Sequence, residues 1–268
     1  MVNVKSQFLQ RLGSESAVLV TVQAFRGSVP RETGAWMAVL ADATLGTVGG
    51  GHLELDAIAH ARTLLASGAG DEVVRYALGP SLGQCCGGEV HLRYKWVHAQ
   101  DAAALKTSLD SATRPVALFG GGHVGRALVR VLGNLPFTVR WVDSRDEIFP
   151  VDVPDNVQCE HSDPVQAAVA DLVPGSRVVV MSFSHAEDLD VVAACLARQR
   201  LRGDLPYVGL IGSQTKWAAF RHRLEARGFS GAEIAHVTCP IGVPGIRDKR
   251  PEVIAVGVAA QLLQVPVE

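Results

Sequence analysis

No stretch of this 268-residue sequence approaches the ~18–20 consecutive apolar residues that a membrane helix needs. Residues 1–7 (MVNVKSQ) place no apolar core behind a basic segment, so no signal peptide is read there. A cytoplasmic location and no membrane partner are the expectation. Charge of one sign is not in excess either: 25 Lys and Arg stand against 27 Asp and Glu, for a net charge of −2. A chain that grips nucleic acid is usually more basic, so no nucleic-acid partner is expected. Cysteine is scarce and odd in number, five in all, which does not fit a secreted disulfide framework in a chain this long. No Cys-x-x-Cys or histidine pair at finger spacing accompanies them, and that argues against structural zinc. Internal repeats and low-complexity tracts are absent. Only 19% of residues are charged while 48% are hydrophobic, a balance that excludes disorder for most of the chain.

What is present divides into two halves. At about 150 residues per domain, the length suggests two domains. A polar, alanine-rich stretch over residues 100–112 ends in Thr113-Arg114-Pro115, and proline restricts the residue before it, so the boundary is placed between 112 and 113. In residues 113–268, apolar β-branched runs at 116–119, 137–142, 177–183 and 207–211 alternate with helical patterns at 124–132, 191–200 and 216–227. That alternation predicts a Rossmann-like, doubly wound parallel sheet. Residues 1–112 read differently. Strand patterns at 18–22, 36–40, 72–78 and 89–97 surround one amphipathic helix at 53–65, which predicts an α+β domain with mixed or antiparallel strands. The whole chain is thus α/β in class. Trp36, Tyr94 and Trp96 are read as core rather than as a partner surface.

Several motifs carry chemistry. Gly120-Gly121-Gly122-His123-Val124-Gly125 satisfies G-x-G-x-x-G between a predicted strand and a predicted helix, the context the motif requires. Gly120, Gly122 and Gly125 allow a tight turn and close approach of a phosphate to the helix start, and His123 opens that helix. Asp143 ends the next strand, where an acid binds ribose hydroxyls. A bound nucleotide or pterin phosphate and an empty architectural loop both remain compatible with the motif. Arg145 is either a second phosphate contact or a solvated loop residue.

Gln84-Cys85-Cys86-Gly87-Gly88 is the sharpest feature. Adjacent thiols in a glycine-rich loop can ligate a soft metal or carry a persulfide sulfur. The alternative is one inward-packed cysteine and one incidental one. Arg31 sits in a glycine- and proline-rich turn (residues 27–35), and His52 and Glu54 follow Gly49-Gly50-Gly51 at a helix start suited to anions. For Glu54, helix capping is the preferred reading. His185 and Asp188 follow the strand at 177–183, where groups face the ligand crevice of a parallel sheet, although Ser184 can equally be a helix cap. Cys159 and Cys195 read as structural.

These segments, in this order, resemble the XdhC/CoxI family, accessory proteins of xanthine dehydrogenase and related molybdenum hydroxylases. The residues that carry the resemblance are Gly27-Ser28-Val29-Pro30-Arg31, Gly49-Gly50-Gly51-His52-Leu53-Glu54, Leu82-Gly83-Gln84-Cys85-Cys86-Gly87-Gly88, residues 120–125, residues 207–216 and Pro240-Ile241-Gly242. The match spans nearly the whole chain. It departs at Ser182-Phe183, where the family often has a Thr-His pair; if that histidine contacts the cofactor in the family, Phe183 does not replace the contact. The resemblance implies a chaperone that binds the molybdenum cofactor (molybdopterin), holds it while a cysteine desulfurase supplies the sulfido ligand, and delivers it to the molybdenum-binding subunit of xanthine dehydrogenase. Molybdenum cofactor biosynthesis proteins are further implied partners, no turnover of its own is implied, and a homodimer is expected. Gln84, Cys85, Cys86, Gly87, Gly120, Gly122, His123, Gly125, Asp143, Arg31, His52 and His185 are then candidate cofactor contacts, in a cleft between the halves, with Cys85 and Cys86 at the metal. Two other readings stand beside it. One is an NAD(P)-dependent oxidoreductase using residues 120–125, Asp143 and His185 as general acid/base. The other is an interaction module with a vestigial Rossmann fold.

Overall fold

The structure is a computed structural model, and it describes residues 4–68, 70–78, 88–109 and 113–266. It divides into two compact units, Val2–Ser111 and Ala112–Glu268.

The first unit is built on a five-stranded antiparallel sheet. Its strands are β1 (Ala17–Arg26), β2 (Trp36–Val39), β3 (Thr44–Gly46), β4 (Asp71–Ala77) and β5 (Glu89–Val97), in the order β3-β2-β1-β5-β4. Alternation along β1 serves two layers. Val18, Val20 and Val22 face helix α2 (Gly51–Ser67), where Leu53, Ala57 and Ala61 are buried against Leu92 and Tyr94. Ala17 and Leu19 face helices α1 (Val4–Leu12) and α3 (Ala102–Ser108), with Phe8, Leu12 and Leu105. Helix α3 occupies much of the stretch read as a polar boundary. It has only seven residues and a single fully apolar anchor, Leu105, too short a signal to register as a periodic face. The helix read at 53–65 runs one turn longer, from the glycines at its start to a left-handed Gly68 at its end. Tyr94 is fully buried, and Trp36 and Trp96 pack against these cores.

The second unit carries a six-stranded parallel sheet. In chain order the strands are β6 (Arg114–Phe119), β7 (Phe137–Asp143), β8 (Val157–His161), β9 (Arg177–Val180), β10 (Tyr207–Leu210) and β11 (Val237–Thr238), and in space they run β11-β10-β9-β6-β7-β8. Helices cover both faces. On one, α5 (His185–Arg202) and α6 (Gln214–Ala226) pack on Ala117, Phe119, Val178, Val180, Val208 and Leu210. On the other, α4 (His123–Leu132) and α8 (Pro251–Gln264) pack on Val116, Leu118, Val139, Trp141 and Val179. A four-residue helix, α7 (Gly231–Ile234), precedes β11. Each fully buried leucine on these helices, such as Leu128 or Leu262, contributes about 1.5–3 kcal/mol relative to exposure. This is the doubly wound Rossmann arrangement expected from the strand–helix alternation.

The chain winds outward from β6 in one direction through β7 and β8, and from β9 in the other through β10 and β11. The order therefore reverses between β6 and β9. In an open parallel sheet that reversal leaves a crevice at the carboxyl ends of the two strands. Two connected loops, residues 120–122 and 181–184, meet there.

Candidate functional site

Gly120 leaves β6 with φ +123°, and a Cβ there would lie 2.0 Å from the Met181 carbonyl oxygen that follows β9. Only glycine lets the two strand ends approach so closely. Gly125 faces back onto the loop, since its Cβ would lie 2.1 Å from the Gly120 oxygen. That oxygen also accepts a 2.9 Å bond from the Trp141 indole. Gly122 caps α4, and a Cβ at Gly122 would meet nothing within 4 Å. The first and third motif glycines are thus required by the protein itself, whereas the second borders open space beside the positive end of a helix.

Asp143 is 2% exposed at the end of β7, and four donors reach its carboxylate. The Gly121 amide donates to Oδ2 at 2.6 Å, and the Arg145 Nη2 to the same oxygen at 2.9 Å. The Arg145 amide and Nε donate to Oδ1 at 2.9 and 2.8 Å. Burial works against ionisation of Asp143, but the bonds from Arg145 and Gly121 outweigh it and hold the carboxyl below the usual aspartate range. The segment after β7 folds over the glycine loop. The Ile148 side chain lies against Gly121, and Arg126 of α4 clasps both the Gly121 and Ile148 carbonyls at 3.2 and 2.8 Å.

The loop after β9 is tied to the same place. Glu187, in the first turn of α5, accepts from the Ser144 hydroxyl at 2.6 Å and from the Phe183 amide at 3.1 Å. The Phe183 ring is 66% exposed and carries the Arg145 guanidinium 4.5 Å from its centroid. Ser184 caps α5, accepting from the Glu187 amide. The Ser182 hydroxyl is buried without a hydrogen-bond partner. Below it, Asp188 is nearly fully buried and accepts from the Ser182 amide at 2.8 Å and from the Lys216 ammonium at 2.5 Å. Lys216 also donates to the Ile211 carbonyl at 2.9 Å.

His123 and His185 are the exposed first residues of α4 and α5, and the His185 ring stands edge-on to Phe220 at 6.2 Å. The structure thus brings Gly120, Gly122, His123, Gly125 and Asp143 to one strand end, with His185 at the start of a neighbouring helix. Asp143 faces the glycine loop and Arg145 rather than open space.

Arg31 and His52 belong to the first unit. A Cβ at Gly49 would lie 2.3 Å from Pro30 and 3.8 Å from the Arg31 side chain, so the turn bearing Arg31 packs on the glycines that start α2. His52 is exposed in the first turn of that helix. Glu54 accepts bonds from the Thr47 hydroxyl and from the Val48 and Gly50 amides, and caps the turn. Gln84, Cys85, Cys86 and Gly87 lie outside the described residues. The described residues on either side, Leu78 and Gly88, are joined by a 2.7 Å backbone bond, and a Cβ at Gly88 would lie 2.2 Å from the Ser28 carbonyl. The β4–β5 connection therefore begins and ends beside the turn that holds Arg31.

Among the described residues, no group of three or more His, Cys, Asp and Glu is arranged to hold a metal ion. The described cysteines are poor nucleophiles. Burial pushes the Cys195 thiol up to about 12 and the Cys239 thiol up to about 11, and raises that of Cys159. Sequence reasoning missed Phe183, Glu187 and Arg126. Phe183 left a signal, as a bulky aromatic just past a buried strand, but Glu187 and Arg126 look like ordinary helix-surface charges.

A family model described as the XdhC Rossmann domain matches residues 116–262, more than half the chain. The chain belongs to the XdhC family. A second model, described as the XdhC and CoxI family, matches residues 11–77. A curated relative, the uncharacterized protein YqeB of Escherichia coli (strain K12), is 28% identical over 252 residues, covering 90% of this chain. The chain spans 42% of that relative's length. A crystal structure described as a xanthine dehydrogenase from Bacillus halodurans has the same fold, with a TM-score of 0.77 at 19% identity over 98% of this chain and 95% of that one. No helix of the described residues is long and apolar enough to cross a membrane.

Proposed function

We propose that this family member is an accessory protein of xanthine dehydrogenase or a related molybdenum hydroxylase, with the molybdenum cofactor as its cargo. It holds the cofactor while a cysteine desulfurase supplies the sulfido ligand, then passes it to the molybdenum-binding subunit, without turnover of its own. It works in the cytoplasm, as a homodimer, receiving the cofactor from its biosynthetic proteins. Family membership supports the accessory role, and the Bacillus halodurans relative of the same fold is itself described as a xanthine dehydrogenase.

The observation that carries the reading is the state of Asp143. All four donors on it come from the protein, so the acid that would hold a nicotinamide dinucleotide's ribose is already engaged. This weighs against the NAD(P)-dependent oxidoreductase. A phosphate-bearing cargo still fits, because Gly122 borders open space at the α4 start and the Ser182 hydroxyl lacks a partner. Cys85 and Cys86 supply the soft ligands that the metal–sulfur end of the cargo requires. The Ser28 carbonyl, in the turn that also bears Arg31, stands against Gly88 at one end of the segment that bears them.

The test is equilibrium binding of isolated molybdenum cofactor to the wild type and to a Cys85→Ala/Cys86→Ala variant. It is done anaerobically, with molybdenum counted by mass spectrometry after desalting. Retention by the wild type and loss in the variant is expected. Equal retention moves the cargo away from the thiols, and no retention by either protein removes the chaperone reading.

A further inference from the structure

Arg145 is held in place from three sides. Its amide, Nε and Nη2 all donate to Asp143. Its guanidinium carbon lies 4.5 Å from the centroid of the Phe183 ring, and the Phe183 backbone amide is fastened by Glu187. Glu187 also binds the Ser144 hydroxyl, next to Arg145 in sequence. A carboxylate offers about four acceptor positions. Three of those on Asp143 are filled by Arg145 and the fourth by the Gly121 amide. In dinucleotide-binding Rossmann units, the acid at this strand end accepts from ribose hydroxyls. A ribose diol brought to this loop would find no acceptor unless the Arg145 fork, tied to a side chain that is almost fully buried, first came away.

We propose that Arg145 is a specificity-determining residue of the crevice. By saturating Asp143 it excludes ribose diols, and with them NAD(H), and it leaves the glycine loop to ligands that present a phosphate without an adjacent diol. The Phe183 ring packs on the guanidinium that is bonded to Asp143 and so acts as its positioning residue. The assignment rests on the reading of the glycine loop as a ligand site.

Isothermal titration of the full chain with NADH and inorganic pyrophosphate tests it. The proteins compared are the wild type, Arg145→Ala, Phe183→Ala and Arg145→Ala/Asp143→Asn, each checked for its fold by circular dichroism. The wild type is expected to take pyrophosphate in preference to NADH. Arg145→Ala is expected to gain NADH affinity on the order of ten- to a hundredfold, the value of hydrogen bonds to a freed charged group. Phe183→Ala is expected to gain less, because it loosens Arg145 without touching Asp143, and it carries the test if Arg145→Ala does not fold. The gain should vanish when Asp143→Asn is added, which a merely structural role for Arg145 would not require. The proposal is overturned if wild type binds NADH as tightly as it binds pyrophosphate. It is equally overturned if neither single variant gains NADH affinity while pyrophosphate still binds. Failure of pyrophosphate to bind any of the proteins instead removes the loop as a ligand site, and the assignment goes with it.

Discussion

Replacing Lys216 with methionine removes one half of an ion pair that is almost fully out of water. The Lys216 side chain is 12% exposed and that of Asp188 3%, with 2.5 Å between Nζ and Oδ2. Methionine fills the space of the lysine stem but donates nothing. Asp188 would keep the Ser182 amide as a partner, and the Ile211 carbonyl would lose the ammonium. Breaking a buried pair by removing one partner costs about 3–5 kcal/mol, because a charge is left uncompensated, against about 0–1 kcal/mol for an exposed pair. At about 2–4 °C per kcal/mol for a unit of this size, a loss near 3 kcal/mol lowers the melting temperature by roughly 6–12 °C. Scanning calorimetry measures it, with chemical unfolding as a second estimate. The companion variant, Lys216→Met/Asp188→Asn, removes both charges and keeps an acceptor for Ser182, so it should recover most of the loss. A single variant that loses less than about 1 kcal/mol would place the pair with exposed ones. A double variant no more stable than the single one would refute the uncompensated-charge argument.

Three further outcomes follow from the same structure. Gly120→Ala should cost several-fold more than Gly122→Ala, because its Cβ meets the Met181 carbonyl at 2.0 Å at a φ of +123° while Gly122 faces open space; melting temperatures of the two proteins decide it. Thiol labelling near neutral pH, mapped by peptide mass spectrometry, should leave Cys195 unmodified in the folded chain and modify Cys239 only slowly; labelling of either at the rate of a free thiol contradicts the burial described. Burial opposes ionisation of Glu54, but the bonds from Thr47 and from the Gly50, Val48 and Gly49 amides prevail and lower its pKa, so its contribution is present above the unfolded value of about 4.5 and is lost as pH falls through the folded one. Glu54→Gln should therefore flatten the decline of melting temperature between about pH 5 and pH 3, and an unchanged slope would show that those bonds add nothing.

The strand–helix alternation was legible because local periodicity reports burial. Residues 178–180 are apolar without alternation since both faces of β9 are covered, and β1 and β5 alternate since their faces meet different layers. The glycine loop was legible for the same local reason: a strand, three glycines and a helix start are all written within ten residues. Short edge elements escaped. The two residues of β11 and the three of β3 hold too little pattern to stand out, and β8 mixes Gln158 and Glu160 into an edge strand with one poorly covered face. Helix α8 escaped as well, though Pro251 at its first turn was a usable start signal.

The sequence alone determined that this chain is an α+β unit followed by a Rossmann unit, and that a glycine-rich helix start lies at the end of β6. It could do so because those features are encoded in residue spacing and in backbone freedom, both local properties. Only the tertiary structure decided what the charged groups of the crevice do. Asp143 receives an amide 22 positions before it, Lys216 finds Asp188 across 28 positions, and Ser144 finds Glu187 across 43. Such pairings follow from strand order, which brings the ends of β6, β7, β9 and β10 together, and no spacing along the chain announces them. The same acid that reads in sequence as a ribose acceptor is, once the sheet forms, the clamp that holds Arg145 and the glycine loop in place.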